Sequence, residues 1–208
     1  MNRRVFAATL SALLLTVPTA HSIKADAPVY TVEDLGTTSD GLVPTVTGMN
    51  ASGQLSGYVT LADGTTLRAV RYANGSWTYV PGLESVYSAA TAINGSGDLT
   101  GYYFSVDGFR AFRYVDGPGL TTIPALPGGT YGVGYAIGAN GDVVGYGDTP
   151  AGTRTWRASL GLDPVVPSTI AGTDAMGFGL NAAGQIVGAF TTGANQHAFR
   201  LEADESLT

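Results

Sequence analysis

Cysteine is absent from all 208 residues, and this excludes disulfide staples and thiolate metal sites together. Histidine is almost as scarce, with two in the chain, so a zinc or copper centre built on imidazole has no ligand set. Charged residues make up 12 % of the chain, about half the usual share. Long apolar runs are missing except near the N-terminus, where Arg3 and Arg4 precede an apolar stretch from Val5 to Val17. Ala20 and Ser22 then supply small residues at the −3 and −1 positions of a cleavage site. This is the layout of a secretory signal peptide, too short for a spanning helix, so residues 1–22 are expected to be removed after Ser22. "RRVF" also fits a fragment of a twin-arginine signal. A secreted or periplasmic protein, with no membrane insertion, is the expectation.

Without Arg3 and Arg4 the chain keeps 8 basic and 16 acidic residues, a net charge of −8. Nucleic acid is an unsuitable partner for such a chain, because its binding requires a basic face that releases counterions. What the chain has in abundance is glycine, 30 residues, together with Tyr, Thr and Val. That mixture predicts an all-β protein rich in turns.

The chain also repeats itself. "GMNASGQLSGYV" from Gly48, "AINGSGDLTGYY" from Ala92, "AIGANGDVVGYG" from Ala136 and "GLNAAGQIVGAF" from Gly179 align. Their turn glycines, Gly53, Gly97, Gly141 and Gly184, are spaced 44, 44 and 43 residues apart. The second glycines, Gly57, Gly101, Gly145 and Gly188, keep the same spacing. A second motif follows in phase: "RAVRY" from Arg68, "RAFRY" from Arg110, "RTWRA" from Arg154 and "HAFRL" from His197. Each unit reads as a small-residue strand, an Asn-rich turn closed by Gly, a second strand, a hairpin, and a third strand carrying the Arg/His motif. A fourth strand reads "WTYVPG", "LTTIPA" and "DPVVPS", its proline suiting an edge.

Four short strands in a period near 43 residues fit a propeller blade. The expected fold is therefore an all-β, four-bladed β-propeller with four antiparallel strands per blade, over residues 28–203. The repeats run near 43–84, 86–127, 131–168 and 174–203, followed by a short tail at 204–208. The last unit stops after its third strand, and "VYTVEDLG", residues 29–36, resembles the fourth strands. Residues 28–36 are thus expected to close the last blade of a monomer, leaving no incomplete edge. An open array or β-solenoid, or a half-ring that pairs into eight blades, is the alternative.

The pattern AxxINxxGxhhG (h apolar), with HAF and a basic or aromatic residue downstream, resembles the bacterial extracellular HAF-repeat family. "ATAINGSGDLTG" at Ala90–Gly101 and "HAFR" at His197–Arg200 are its nearest copies, and residues 30–201 are covered. Gly138 stands for the usual Asn, Val70 and Trp156 for Phe, and Arg for His in three copies. The resemblance implies export and repeat architecture and carries over no catalytic residue.

Arg71, Arg113, Arg157 and Arg200 recur in every copy. Five guanidinium donors suit ties between neighbouring blades, so these arginines and the turn glycines are read as structural. His197 shares its column with Arg68, Arg110 and Arg154 and is likewise read as a strand position, not a general base. No Gly-x-Ser-x-Gly elbow, calcium loop or dinucleotide fingerprint occurs. No catalytic residue, metal or cofactor is assigned. Candidate ligand-binding residues are Glu84, Tyr87, Tyr131 and Asp174, which lie in the joining segments and differ between units. Aromatic faces beside carboxylates suit a neutral sugar or a peptide. A non-catalytic binding or structural scaffold for carbohydrate or a surface protein is the leading reading. A propeller hydrolase or lyase using loop carboxylates is the alternative.

Overall fold

A computed structural model of the protein describes residues 31–167, 170 and 173–203. The expected signal segment, residues 1–22, and the 204–208 tail lie outside the described residues. Contacts divide the chain between Asp34 and Leu35, and the fold below is that of the unit beginning at Leu35.

The described residues form fourteen strands in four antiparallel sheets, one sheet per sequence repeat and no helix. Sheet 1 holds β1 (Thr45–Met49), β2 (Leu55–Thr60), β3 (Leu67–Ala73) and β4 (Ser76–Tyr79) in that order. Sheet 2 repeats the meander with β5 (Ser88–Ile93), β6 (Leu99–Ser105), β7 (Gly108–Val115) and β8 (Gly119–Ile123). Sheet 3 contains β9 (Gly132–Ile137), β10 (Val143–Thr149) and β11 (Gly152–Ala158). Sheet 4 contains β12 (Thr173–Leu180), β13 (Ile186–Thr192) and β14 (Asn195–Leu201).

The Asn-rich turns connect the first two strands of each sheet, and their chemistry explains the motif. Asn50 Oδ1 accepts from the amides of Ser52 and Gln54, both at 3.0 Å, while Gly53 N donates to Asn50 O. Asn94 and Asn181 do the same. Gly53, Gly97, Gly141 and Gly184 all have φ between 73° and 89°, which L side chains adopt only with strain.

The second glycines have a different reason. Each first strand carries a β-bulge, at Thr47, Thr91, Tyr135 and Phe178. Beside the bulge, a backbone carbonyl leans over the facing glycine. A Cβ on Gly57, Gly101, Gly145 or Gly188 would overlap the oxygen of Thr45, Ala89, Val133 or Met176. The large residues opposite those glycines, Phe112 against Gly101 and Trp156 against Gly145, fill the vacated space.

The core is a series of sandwiches, each between one sheet and the segment leading into it. Leu99, Phe112 and Tyr114 of sheet 2 pack with Ala69 of sheet 1 and with Val80 and Leu83 of the connection. Val143, Trp156 and Ala158 of sheet 3 pack with Ala111, Ile123 and Leu126 in the same way. Sheet 1 presents Leu55, Val59, Val70 and Trp77, covered by Leu35 and Leu42.

Two expectations need correction. The fourth strand of the third unit shrinks to one bridge, Arg157 with Val165. Pro164 and Pro167 flank the two residues there that have an N–H to give, so no ladder can grow. Residues 31–36 form no strand, where a closing strand over 28–36 was expected. Residues 28–30 lie outside the described residues. Leu35 packs on sheet 1, and its carbonyl accepts from Trp77 Nε1 at 3.1 Å.

Candidate functional site

The joining segments and the second-to-third-strand hairpins meet at one end of sheets 1 to 3, fastened by hydrogen bonds. Arg68 Nε donates to Glu84 O at 3.0 Å, and Arg110 Nη1 donates to Thr130 O at 2.7 Å. Asp148 in the third hairpin accepts from the amides of Thr130 and Tyr131, at 2.7 and 2.8 Å, and from Thr130 Oγ1. Burial pushes the Asp148 carboxyl up, but these bonds outweigh it and hold it below the ordinary carboxylate range.

The tyrosines gather at this end. Tyr58, Tyr102 and Tyr146 each follow the second glycine of a repeat, so strand alternation turns them away from the sheet's own core and toward the next sheet. Tyr102 lies 6.5 Å from Tyr87, centroid to centroid, and 5.7 Å from Phe109 edge to face. Tyr146 stacks on Tyr135 at 5.3 Å and meets Tyr131 edge to face at 6.4 Å. Tyr135 also meets Phe178 of sheet 4 at 5.4 Å. Tyr87, Tyr102, Phe109, Val133, Tyr135 and Tyr146 line an open groove of about 250 Å³ between sheets 2 and 3.

Electrostatics keep the groove neutral. Burial, and then the neighbouring phenols of Tyr87, Tyr135 and Tyr58, push the Tyr102 phenol up to about 12. Burial and the contacts with Tyr135, Tyr131 and Tyr102 raise Tyr146 as well. Tyr102 and Tyr146 therefore keep their protons at physiological pH and offer both a donor and acceptor lone pairs beside an aromatic face.

The four candidates from the sequence divide in two. Tyr87 lines the groove, and Tyr131 adjoins it through Tyr146. The carboxylates lie elsewhere. Glu84 is exposed and accepts from Gly82 N at 2.9 Å, while Asp174, at φ 55°, accepts from Thr153 N at 3.3 Å. Sequence reasoning missed Tyr102, Tyr135, Tyr146 and Phe109. The available signal was the Gly-Tyr step repeated in "SGYV", "TGYY" and "VGYG".

The repeated arginines sit away from the groove. Arg71 pairs with Asp116 at 3.0 Å and donates to Gly97 O at 3.4 Å, joining sheet 1 to sheet 2. Arg113 is buried and donates to Ala158 O of sheet 3 at 3.1 Å. Arg157 binds Asp142 within sheet 3, and Arg200 binds Glu202 at 2.7 Å. His197 is exposed and stacks on Phe190 at 5.5 Å. A second cavity, of about 260 Å³, lies between sheets 3 and 4 beside Val165, where the fourth strand is cut short. Among the described residues, no three His, Asp or Glu side chains converge as a metal site.

No protein-family model matches the chain, and no curated protein matches it.

Proposed function

We propose that this protein is an exported, non-catalytic repeat module that binds a neutral carbohydrate in the tyrosine groove. One observation carries the reading: the groove is lined by five aromatic rings, and two of them, Tyr102 and Tyr146, carry phenols whose ionisation is pushed upward. Flat apolar C–H faces of a sugar stack on such rings, and its hydroxyls exchange hydrogen bonds with the phenols. A hydrolase or lyase would need carboxylates in reach of the bound bond, and Glu84 and Asp174 are engaged by backbone amides outside the lining.

Export rests on the N-terminal sequence pattern, and membership of the HAF-repeat family rests on the motifs quoted above. The four sheets are successive blades of a propeller-type stack, a reading supported by how each first strand packs on the sheet before it. Closure of four blades within one chain by residues 28–36 is not part of the proposal, since the described residues 31–36 form no strand.

The test is a neutral-glycan array probed with the purified chain and with Tyr135→Thr. The parent retains a defined set of glycans, and the variant loses them. An array blank for the parent, or equal retention by the variant, sinks the proposal.

A further inference from the structure

Each internal contact between sheets repeats one pattern, and the two ends of the stack present its unused halves. The forward-facing position on the second strand is Ser56, Thr100, Val144 and Val187 in the four sheets. The backward-facing position on the first strand is Val46, Ala90, Gly134 and Gly177. They meet in the interior: a Cβ on Gly134 would fall on Thr100 Oγ1, and one on Gly177 would lie 2.8 Å from Val144 Cγ1. Ser56, Thr100, Val144 and Ala90 are accordingly buried.

At the ends the same positions are bare. Val46 is 49 % exposed and Val187 is 47 % exposed. Met49 is 72 % exposed, whereas its counterpart Ile137 is buried against sheet 2. The asparagine column agrees. Asn50 Nδ2 donates to Asn94 O of the next sheet at 2.9 Å, and Asn94 Nδ2 donates to Gly138 O at 3.0 Å. Both are buried, while Asn181 in sheet 4 is exposed.

We infer that a second copy of this chain stacks head to tail on these ends, Val46 and Met49 of each copy covering Val187 and Asn181 of the other. The occupant is specified because the missing surface is the one each sheet already gives its neighbour. Among the described residues no sheet packs behind sheet 1, and sheet 4 is that sheet in another copy. Such a contact is heterologous, and two of them related by a two-fold axis close a ring of eight sheets. The contact is independent of what the groove binds, so it stands or falls separately from the carbohydrate reading.

The experiment is light-scattering mass across a dilution series, with circular dichroism as the check on folding. The parent has the mass of two chains. Val46→Lys and Val187→Glu each give one chain with unchanged strand signal, since both positions lie on the surface of the single chain. Mixing the two variants restores the two-chain mass, because one interface is then native and the other joins opposite charges. A same-face dimer would be broken by only one of the two substitutions. That result, a single-chain parent, or no recovery on mixing overturns the inference.

Discussion

Gly101→Ala is the sharpest test of how the bulge and the second glycine depend on each other. The added methyl would overlap Ala89 O and lie 2.9 Å from both Ala90 Cα and Phe112 Cε1. Two of these three atoms are backbone and cannot rotate away. Relief requires the bulge at Thr91 to open, and Thr91 Oγ1 holds Gly134 O of the next sheet at 2.8 Å. Overpacking of this kind costs about 3 kcal/mol, the upper part of the usual range. Loss of the inter-sheet hydrogen bond adds about 1 kcal/mol. At about 2–4 °C per kcal/mol for a domain of this size, the total of about 4 kcal/mol lowers Tm by roughly 8–16 °C. Two controls separate this from a generic glycine effect. Gly95 has no heavy atom within 4 Å of a built Cβ and no positive φ, so Gly95→Ala is neutral or stabilises by up to about 1 kcal/mol. Gly53 has equal space but φ 73°, so Gly53→Ala costs about 1–2 kcal/mol from the backbone alone. Urea and thermal unfolding of the three variants decide the matter. If Gly101→Ala costs no more than Gly53→Ala, the carbonyl over the glycine is not what fixes the residue.

The remaining predictions concern the core and the groove. Leu83 is buried in the sandwich between sheets 1 and 2, so Leu83→Ala lowers stability by about 2–5 kcal/mol. Leu160 is exposed, and Leu160→Ala stays within about 0.5 kcal/mol; equal urea midpoints for the two would refute the placement of the core. Tyr102 ionises near pH 12 in the folded protein and near 10 when unfolded, so folding favours its neutral form. Its contribution is complete below pH 10 and is lost as pH rises through 12. An ultraviolet titration of the parent minus Tyr102→Phe should show that late phenol, and a difference midpoint near 10 would contradict the packing around it.

The strand order, the turns and the repeat phase were legible because they depend on local rules. An asparagine that accepts two amides and a glycine at positive φ leave their mark in any repeat, and the four-letter turns repeat that mark. The second glycines were visible as a column but not explicable, since their cause is a carbonyl in a different strand. The groove was harder still. Tyr102, Tyr135 and Tyr146 come together only when one sheet is laid on the next, and sequence alternation assigns a face without saying what covers it. The arginine column shows the opposite limit. Arg71, Arg113 and Arg157 all reach the turn glycine of the next repeat, yet their hydrogen-bond partners differ, from the exposed Asp116 to the buried carbonyl of Ala158, because those partners are not themselves repeated. The fourth strand of the third unit was misjudged because Pro164 and Pro167 together leave too few donors for a ladder, although either alone fits an edge.

The bulge position is where this repeat departs from scaffolding, and it explains the choice of Tyr135→Thr as the binding variant. A bulge re-aims one side chain out of the pleat. In sheets 1 and 2 that side chain is threonine, and its hydroxyl donates to a carbonyl one sheet ahead, Thr47 to Ala90 O at 2.7 Å and Thr91 to Gly134 O at 2.8 Å. In sheets 3 and 4 the same position carries Tyr135 and Phe178, and the place of the tie is taken by rings in contact. Threonine at 135 would find Gly177 O at the register its counterparts use. The substitution therefore trades an aromatic wall for a hydrogen bond that the fold already makes twice. Stability should hold within about 1 kcal/mol, the worth of one such bond, while glycan retention falls away. A variant that unfolds would show that the ring at 135 is a structural member of the stack. One that folds and still binds would place the ligand elsewhere.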